Sequence, residues 1–222
     1  MYDIIFISNN EPNADENWQL LVNRFVTAKR VKNVKGIHQA HISAAKNSYT
    51  KMFWAVDGDA EILDSFKFDY QISLYDQDTV HIFHSKNPVN DLEYGYGAVK
   101  LLPKILTTNI DLHSLDMTLA ISSKIKVVEQ ISNFTKFNTD SFSAWRSAFR
   151  EAVKLSYKTD EESKKRLNIW LKKGHDRPFG VDCIAGAVAG VEFYKKFPDM
   201  IYLINDFDWL KEQYTNDRLY SF

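Results

Sequence analysis

A chain of 222 residues is long enough to bury a sizeable core as one domain, or as a core domain with a smaller helical lobe. Hydrophobic residues make up 45% and charged residues 26%, ordinary globular usage, and a formal charge of −1 argues against a uniformly basic nucleic-acid binder. The only cysteine, Cys183, excludes an internal disulfide and a zinc ribbon, and no apolar run approaches the ~18 residues of a membrane span or the pattern of a secretory leader, so a cytosolic location is expected.

The opening run Tyr2-Asp3-Ile4-Ile5-Phe6-Ile7 ends in the polar Ser8-Asn9-Asn10-Glu11-Pro12-Asn13, which reads as a buried strand followed by a loop. A helix is expected from near Asp15, with Trp18, Leu21, Val22 and Phe25 at helical spacing, and Lys29-Arg30-Val31 reads as a second short strand. After Gly36, residues 37–48 place Ile37, Ala40, His41, Ala44 and Ala45 on one helical face, where His41 reads as a core histidine. Met52-Phe53-Trp54-Ala55-Val56 is another buried-strand pattern and runs directly into Asp57-Gly58-Asp59. Strand, helix, strand, helix, strand is the opening of an α/β sheet, and in open α/β sheets ligands sit at the carboxyl ends of the strands. The loop at 8–13 and the acidic triplet at 57–59 both fall on that edge.

Further on, residues 80–84 alternate as a strand whose His81 and His84 read as structural, while Asn87-Pro88 and Gly95-Tyr96-Gly97 mark loops. Residues 99–106 are expected to form a short helix despite Pro103. From 142 onward the pattern is mainly helical: Thr139-Asp140-Ser141 supplies caps ahead of one helix, residues 161–172 form another ended by Gly174, and the small residues 185–190 pack closely into the core.

Two carboxylates flanking a glycine at a strand end are oxygen donors of the kind Mg²⁺ and Mn²⁺ take, with a diphosphate completing the shell. Such an ion stabilises charge growing on a leaving nucleotide. A solvated acidic turn is the alternative for Asp57 and Asp59. Replacing either is expected to abolish activity at little cost in stability, since exposed loop positions contribute little. Charge is also segregated: residues 120–177 hold thirteen Lys/Arg against seven Asp/Glu, net +6, and the remainder fifteen against twenty-two, net −7. Within that segment Arg146, Arg150, Lys154 and Lys158 recur every four residues, a cationic ridge that either tracks DNA phosphates or is a solvated helix face.

Residues 2–64 resemble GT-A glycosyltransferases, and more narrowly a group encoded by tailed bacteriophages. The residues that carry this are 6–18, Lys29-Arg30-Val31, Val34-Lys35-Gly36-Ile37, Ala40-His41 and 52–59. Further matches run through Asn87-Pro88-Val89-Asn90-Asp91-Leu92-Glu93-Tyr94-Gly95-Tyr96-Gly97 and residues 142–151. In T-even-like phages such proteins are similar to enzymes that decorate 5-hydroxymethylcytosine in phage DNA, arabinosyltransferases among them. The resemblance implies a GT-A-like α/β fold, Rossmann-type with a mostly parallel sheet flanked by helices, and a helical C-terminal portion. Residues 1–119 would form the nucleotide-sugar and metal half, and residues 120–222 the acceptor-side helical portion of the same domain.

The resemblance further implies a UDP-sugar donor, Mn²⁺ or Mg²⁺, and double-stranded DNA as acceptor, in the host cytoplasm. Ser8, Asn9, Asn10, Glu11, Arg30, Lys35 and Gly36 would cradle the donor with Asp57. There Arg30 and Lys35 would neutralise phosphate, and Gly36 would permit close backbone approach. Asp57 and Asp59 would hold the metal. The turn Gly174-His175-Asp176-Arg177-Pro178-Phe179-Gly180 is similar to a late turn of some GT-A enzymes in which a histidine completes the metal shell and a cation meets the diphosphate, roles that would fall to His175 and Arg177. Residues 91–97 look like the acceptor loop, but Ala98-Val99-Lys100 stand where many members carry an acidic pair. The catalytic base is therefore left among Asp91, Glu93, Asp116 and Glu151. A carbohydrate or protein acceptor, and a non-enzymatic phage nucleic-acid-binding protein, are the competing expectations.

Overall fold

In the first sixty positions continuous apolar runs alternate with stretches of helical period, and the backbone follows them. The computed structural model describes residues 1–95, 97–112 and 116–220. It begins β1 (Asp3–Ser8), α1 (Ala14–Arg24), β2 (Lys29–Lys32), α2 (Ile37–Asn47) and β3 (Met52–Asp57). Then come β4 (Ala60–Ile62), β5 (Val80–Lys86), β6 (Glu93–Tyr94), β7 (Val99–Pro103), α3 (Lys104–Thr108), α4 (Met117–Ile121) and β8 (Ile125–Thr135). The chain forms two compact units, residues 1–86 with 93–136, and residues 87–92 with 137–222.

The first unit is an α/β sheet in the order β2-β1-β3-β7-β5-β8-β4, with β6 beside β5. Pairing is parallel for β2–β1, β1–β3 and β5–β8, and antiparallel at β7, β4 and β6. Five of the eight described strands therefore point one way. Ile4, Phe6, Trp54 and Val56 face α1 and an aromatic cluster of Phe66, Phe68 and Phe83. Ile5, Ile7, Phe53 and Ala55 face the other side, under Ala40, Ala44 and Ala45 of α2. Trp54 meets Phe66, Phe68 and Phe83 at centroid distances of 5.8, 5.1 and 4.9 Å, the range in which aromatic rings gain beyond area burial.

One expectation is corrected. Residues 99–103 are a strand with every residue buried, and only residues 104–108 are helical. Pro103 explains the division: it closes β7 and stands immediately ahead of the first turn of α3, where a missing N–H costs nothing. The eleven-residue β8 lies wholly beyond residue 119, and the sheet-bearing unit extends to residue 136. Its first half leaves Ile125 and Val127 exposed, which hid the alternation.

The second unit is helical: α5 (Ser141–Tyr157), α6 (Glu161–Lys172), α7 (Gly180–Lys196), a short 3₁₀ stretch (Pro198–Asn205) and α8 (Phe207–Tyr220). Asp140 and Asp160 cap α5 and α6, each accepting from the N–H three residues on at 2.8 Å. The bonds from Ser163 hold the Asp160 carboxyl below the usual carboxylate range. Trp145 and Phe149 stack at 4.8 Å and enter a core with Ile204 and Leu210. Small residues let α7 lie directly on α5, with Gly186 and Gly190 against the carbonyls of Trp145 and Phe149. Among the described residues no helix is long and apolar enough to cross a membrane.

Candidate active site

Parallel pairing of β2, β1 and β3 brings Lys32, Ser8 and Asp57 to one edge of the sheet. The turn after β3 is pinned from three directions. The Asp57 N–H donates to the Ala98 carbonyl at 2.8 Å, Asn17 Nδ2 of α1 donates to the Gly58 carbonyl at 2.9 Å, and the Lys136 N–H donates to the Asp59 carbonyl at 2.7 Å. Buried polar backbone is thereby satisfied, and both aspartate side chains are left half-buried at the strand end.

The loop after β1 meets this turn. Glu11 Oε2 accepts from the Asn9 N–H at 2.7 Å, and a Cβ on Gly58 would stand 2.5 Å from that same oxygen and 3.1 Å from Ser8 Cβ. Glycine at 58 thus lets the Glu11 carboxylate close over the turn. Asn10, at φ +64°, turns the chain there. Ser8 Oγ accepts from Arg30 Nε at 3.0 Å. Arg30 also pairs with Asp15 at 2.6 Å and lies over the Phe6 and Trp18 rings, so its charge is already engaged. Lys35 is exposed, and Gly36 takes φ +91° at the start of α2, a conformation open to glycine.

Lys100 was not foreseen. On β7 it pairs with Ala55, two residues before Asp57, so both side chains lie on the face of the sheet covered by α2. Its side chain is 4% exposed, and Nζ stands 3.2 and 3.4 Å from the two Asp57 carboxylate oxygens. Nζ also donates to the Gly97 carbonyl. A lysine inside the apolar run Val99-Lys100-Leu101-Leu102 was the available signal. On a helix it would sit on the wet face, whereas on a central strand it must be buried and paired.

His41 is 3% exposed, and its Nδ1 donates to the Ile37 carbonyl at 2.8 Å. It is a core histidine, as expected. Burial pushes it down to about 4, and the Lys100 ammonium adds to that. An unfolded histidine titrates near 6.5, so between about pH 4 and 6.5 the unfolded chain binds the extra proton. The stability His41 contributes is complete above pH 6.5 and is lost as pH falls toward 4. Wild type is expected to lose about 2 kcal/mol more than His41→Asn between pH 6.5 and 4.5. Urea unfolding of both at the two pH values checks this, and parallel losses would remove His41 as the cause.

Oxygen donors at Asp57, Asp59 and Glu11 have the hardness Mg²⁺ or Mn²⁺ prefers. Yet Asp57 already faces an ammonium, and among the described residues neither aspartate belongs to a group of three His, Cys, Asp or Glu able to hold a metal. The side chains described in this unit therefore do not fit a divalent ion held through Asp57. His175, the expected third ligand, is an exposed residue of the second unit.

Asp91, at φ +60°, and Arg177 pair at 3.1 Å within the second unit, both exposed. Glu93 pairs with Lys86 at 3.3 Å, and Asp116 caps α4 by accepting from the Thr118 and Leu119 N–H groups at 2.8 and 3.1 Å. Glu151 is half-buried on α5. Tyr96 of the expected acceptor loop lies outside the described residues. The cationic ridge is split. Arg146 lies over the Phe207 ring at 4.5 Å, while Arg150 donates to Asn205 Oδ1 at 3.0 Å, because planar guanidinium groups stack and fork. Lys154 and Lys158 are exposed.

No family model matches the chain, and no curated protein matches it. Among solved structures it is similar to S. aureus TarS 1-349, at 12% identity and a TM-score of 0.36, over 99% of this chain and 92% of that one. A likeness of that degree carries no argument about activity.

Proposed function

We propose that the chain is a GT-A-type glycosyltransferase that moves a sugar from a UDP-sugar to 5-hydroxymethylcytosine in phage DNA. The observation that carries the donor half is the meeting of Ser8, Glu11 and the Asp57-Gly58-Asp59 turn at the carboxyl edge of parallel β1 and β3, where α/β sheets bind ligands. The acceptor half rests on the phage resemblance, with support from the exposed Lys154 and Lys158.

In the reaction a bond forms between the acceptor oxygen and the sugar's anomeric carbon, and the bond from that carbon to the diphosphate oxygen breaks. The electron pair leaves on the diphosphate, whose new charge must meet fixed positive groups. The hydroxyl proton goes to a carboxylate in an inverting transfer. Asp91, Glu93 and Asp116 are each engaged already, with Arg177, Lys86 and the start of α4.

The test is to incubate the protein with a panel of nucleotide-sugars and hydroxymethylcytosine DNA, then weigh the nucleosides. A pentose or hexose added to the modified cytosine is expected. Donor hydrolysis with no DNA product would move the acceptor to a carbohydrate or protein. DNA binding with no donor turnover would leave a nucleic-acid-binding protein.

For DNA contact, Lys154→Gln with Lys158→Gln is expected to flatten the slope of log affinity against log salt by roughly 0.9 per lost phosphate contact. Donor hydrolysis should stay as in wild type. An unmoved slope would mean the exposed part of α5 does not touch DNA.

A further inference from the structure

We infer that Lys100 is the fixed cation of this site, holding Asp57 and meeting the donor's diphosphate where a divalent ion was expected. The inference rests on the donor reading above. A buried ammonium is strongly disfavoured unless a carboxylate and further acceptors surround it. Here Asp57 and the Gly97 carbonyl provide both, and β7 carries the lysine to the strand-end edge. An ammonium has three N–H donors. Gly97 takes one and the two Asp57 oxygens, at 3.2 and 3.4 Å, take the others, so a phosphate oxygen would replace the longer Asp57 contact.

The surroundings favour a single positive charge at this position. A divalent ion on the Asp57 carboxylate would sit beside an ammonium 3.2 and 3.4 Å from the same oxygens, and like charges this close repel strongly away from water. His41, on the same face, is held neutral and adds no charge of its own. The start of α2, after Gly36, has no side-chain cap, so its first N–H groups add partial positive charge on that face.

The experiment is calorimetric titration of UDP and of uridine into wild type and Lys100→Met, each in EDTA and in Mn²⁺. Wild type is expected to bind UDP with the same Kd in both buffers, within about threefold. Lys100→Met is expected to weaken UDP by about tenfold or more in either buffer, while leaving uridine within about threefold of wild type. A merely structural lysine would weaken both ligands together, and that result would overturn the inference. UDP binding that appears only with Mn²⁺ overturns it too, a comparison made on wild type alone and so independent of whether the variant folds. If wild type binds UDP in neither buffer, the donor reading itself fails and this inference falls with it.

Discussion

Asp57→Ala is expected to abolish donor binding and also to destabilise the fold by about 2 kcal/mol, which revises the expectation of an inexpensive loop substitution. The reason is Lys100. Its ammonium is 4% exposed, and removing the carboxylate strands that charge between β3 and β5. Breaking a fully buried pair from one side costs about 3–5 kcal/mol. Asp57 is 35% exposed, so water can reach the vacated position and the cost falls below that range, to about 2 kcal/mol. Asp59→Ala removes no partner of Lys100 and is expected to lose turnover with a smaller stability change. The double variant Asp57→Ala/Lys100→Met removes both charges and should recover most of the lost stability, because an apolar pair in the same volume leaves nothing unpaired. Urea unfolding of the two single variants and the double closes this cycle. If Asp57→Ala unfolds at the wild-type midpoint, the pair does not hold the site.

How much of this was legible follows from where each signal lies along the chain. The three parallel strands and their two helices could be read because each carries its own period. Residues 3–8 and 52–57 are continuous apolar runs, and Ala40, His41, Ala44 and Ala45 recur on one helical face. Residues 99–106 read as a helix, and wrongly for 99–103, because a short apolar run with a proline suits a helix or a buried strand until its neighbours are known. Lys100 depends on that assignment. It reaches Asp57 through an antiparallel pairing across 43 residues, which nothing local encodes. The ridge on α5 failed in part for a similar reason: spacing put four cations in a row, but Phe207 and Asn205, far along the chain, claim the two arginines. Asp116 looked like an isolated acid in an apolar setting, and its partners are the backbone N–H groups of its own helix. Sequence reading found the strand ends and the acids on them, and missed the cation they face.

Gly186→Ala is expected to destabilise the helical unit by roughly 3 kcal/mol, against the direction helix propensity alone would give. In a helix interior alanine is favoured over glycine by about 1 kcal/mol, so a solvent-facing Gly186 would gain from the change. Gly186 is not solvent-facing: a Cβ there would stand 2.2 Å from the Trp145 carbonyl oxygen and 2.8 Å from its Cα. These are backbone atoms of α5, and they cannot swing aside as a side chain would. Relief requires α5 and α7 to part, which loosens the stacked Trp145 and Phe149 from their core and opens voids around them. A Cβ on Gly190 would stand 2.5 Å from the Phe149 carbonyl oxygen, so Gly190→Ala should behave likewise. Ala185→Gly, on the exposed face of α7, is the control and should lose only about 1 kcal/mol through propensity. For a chain of this size a loss of 3 kcal/mol lowers the thermal midpoint by roughly 6–12 °C. Melting the three variants beside wild type decides between the two effects. A Gly186→Ala midpoint at or above wild type would mean that α7 does not lie on α5 at this distance.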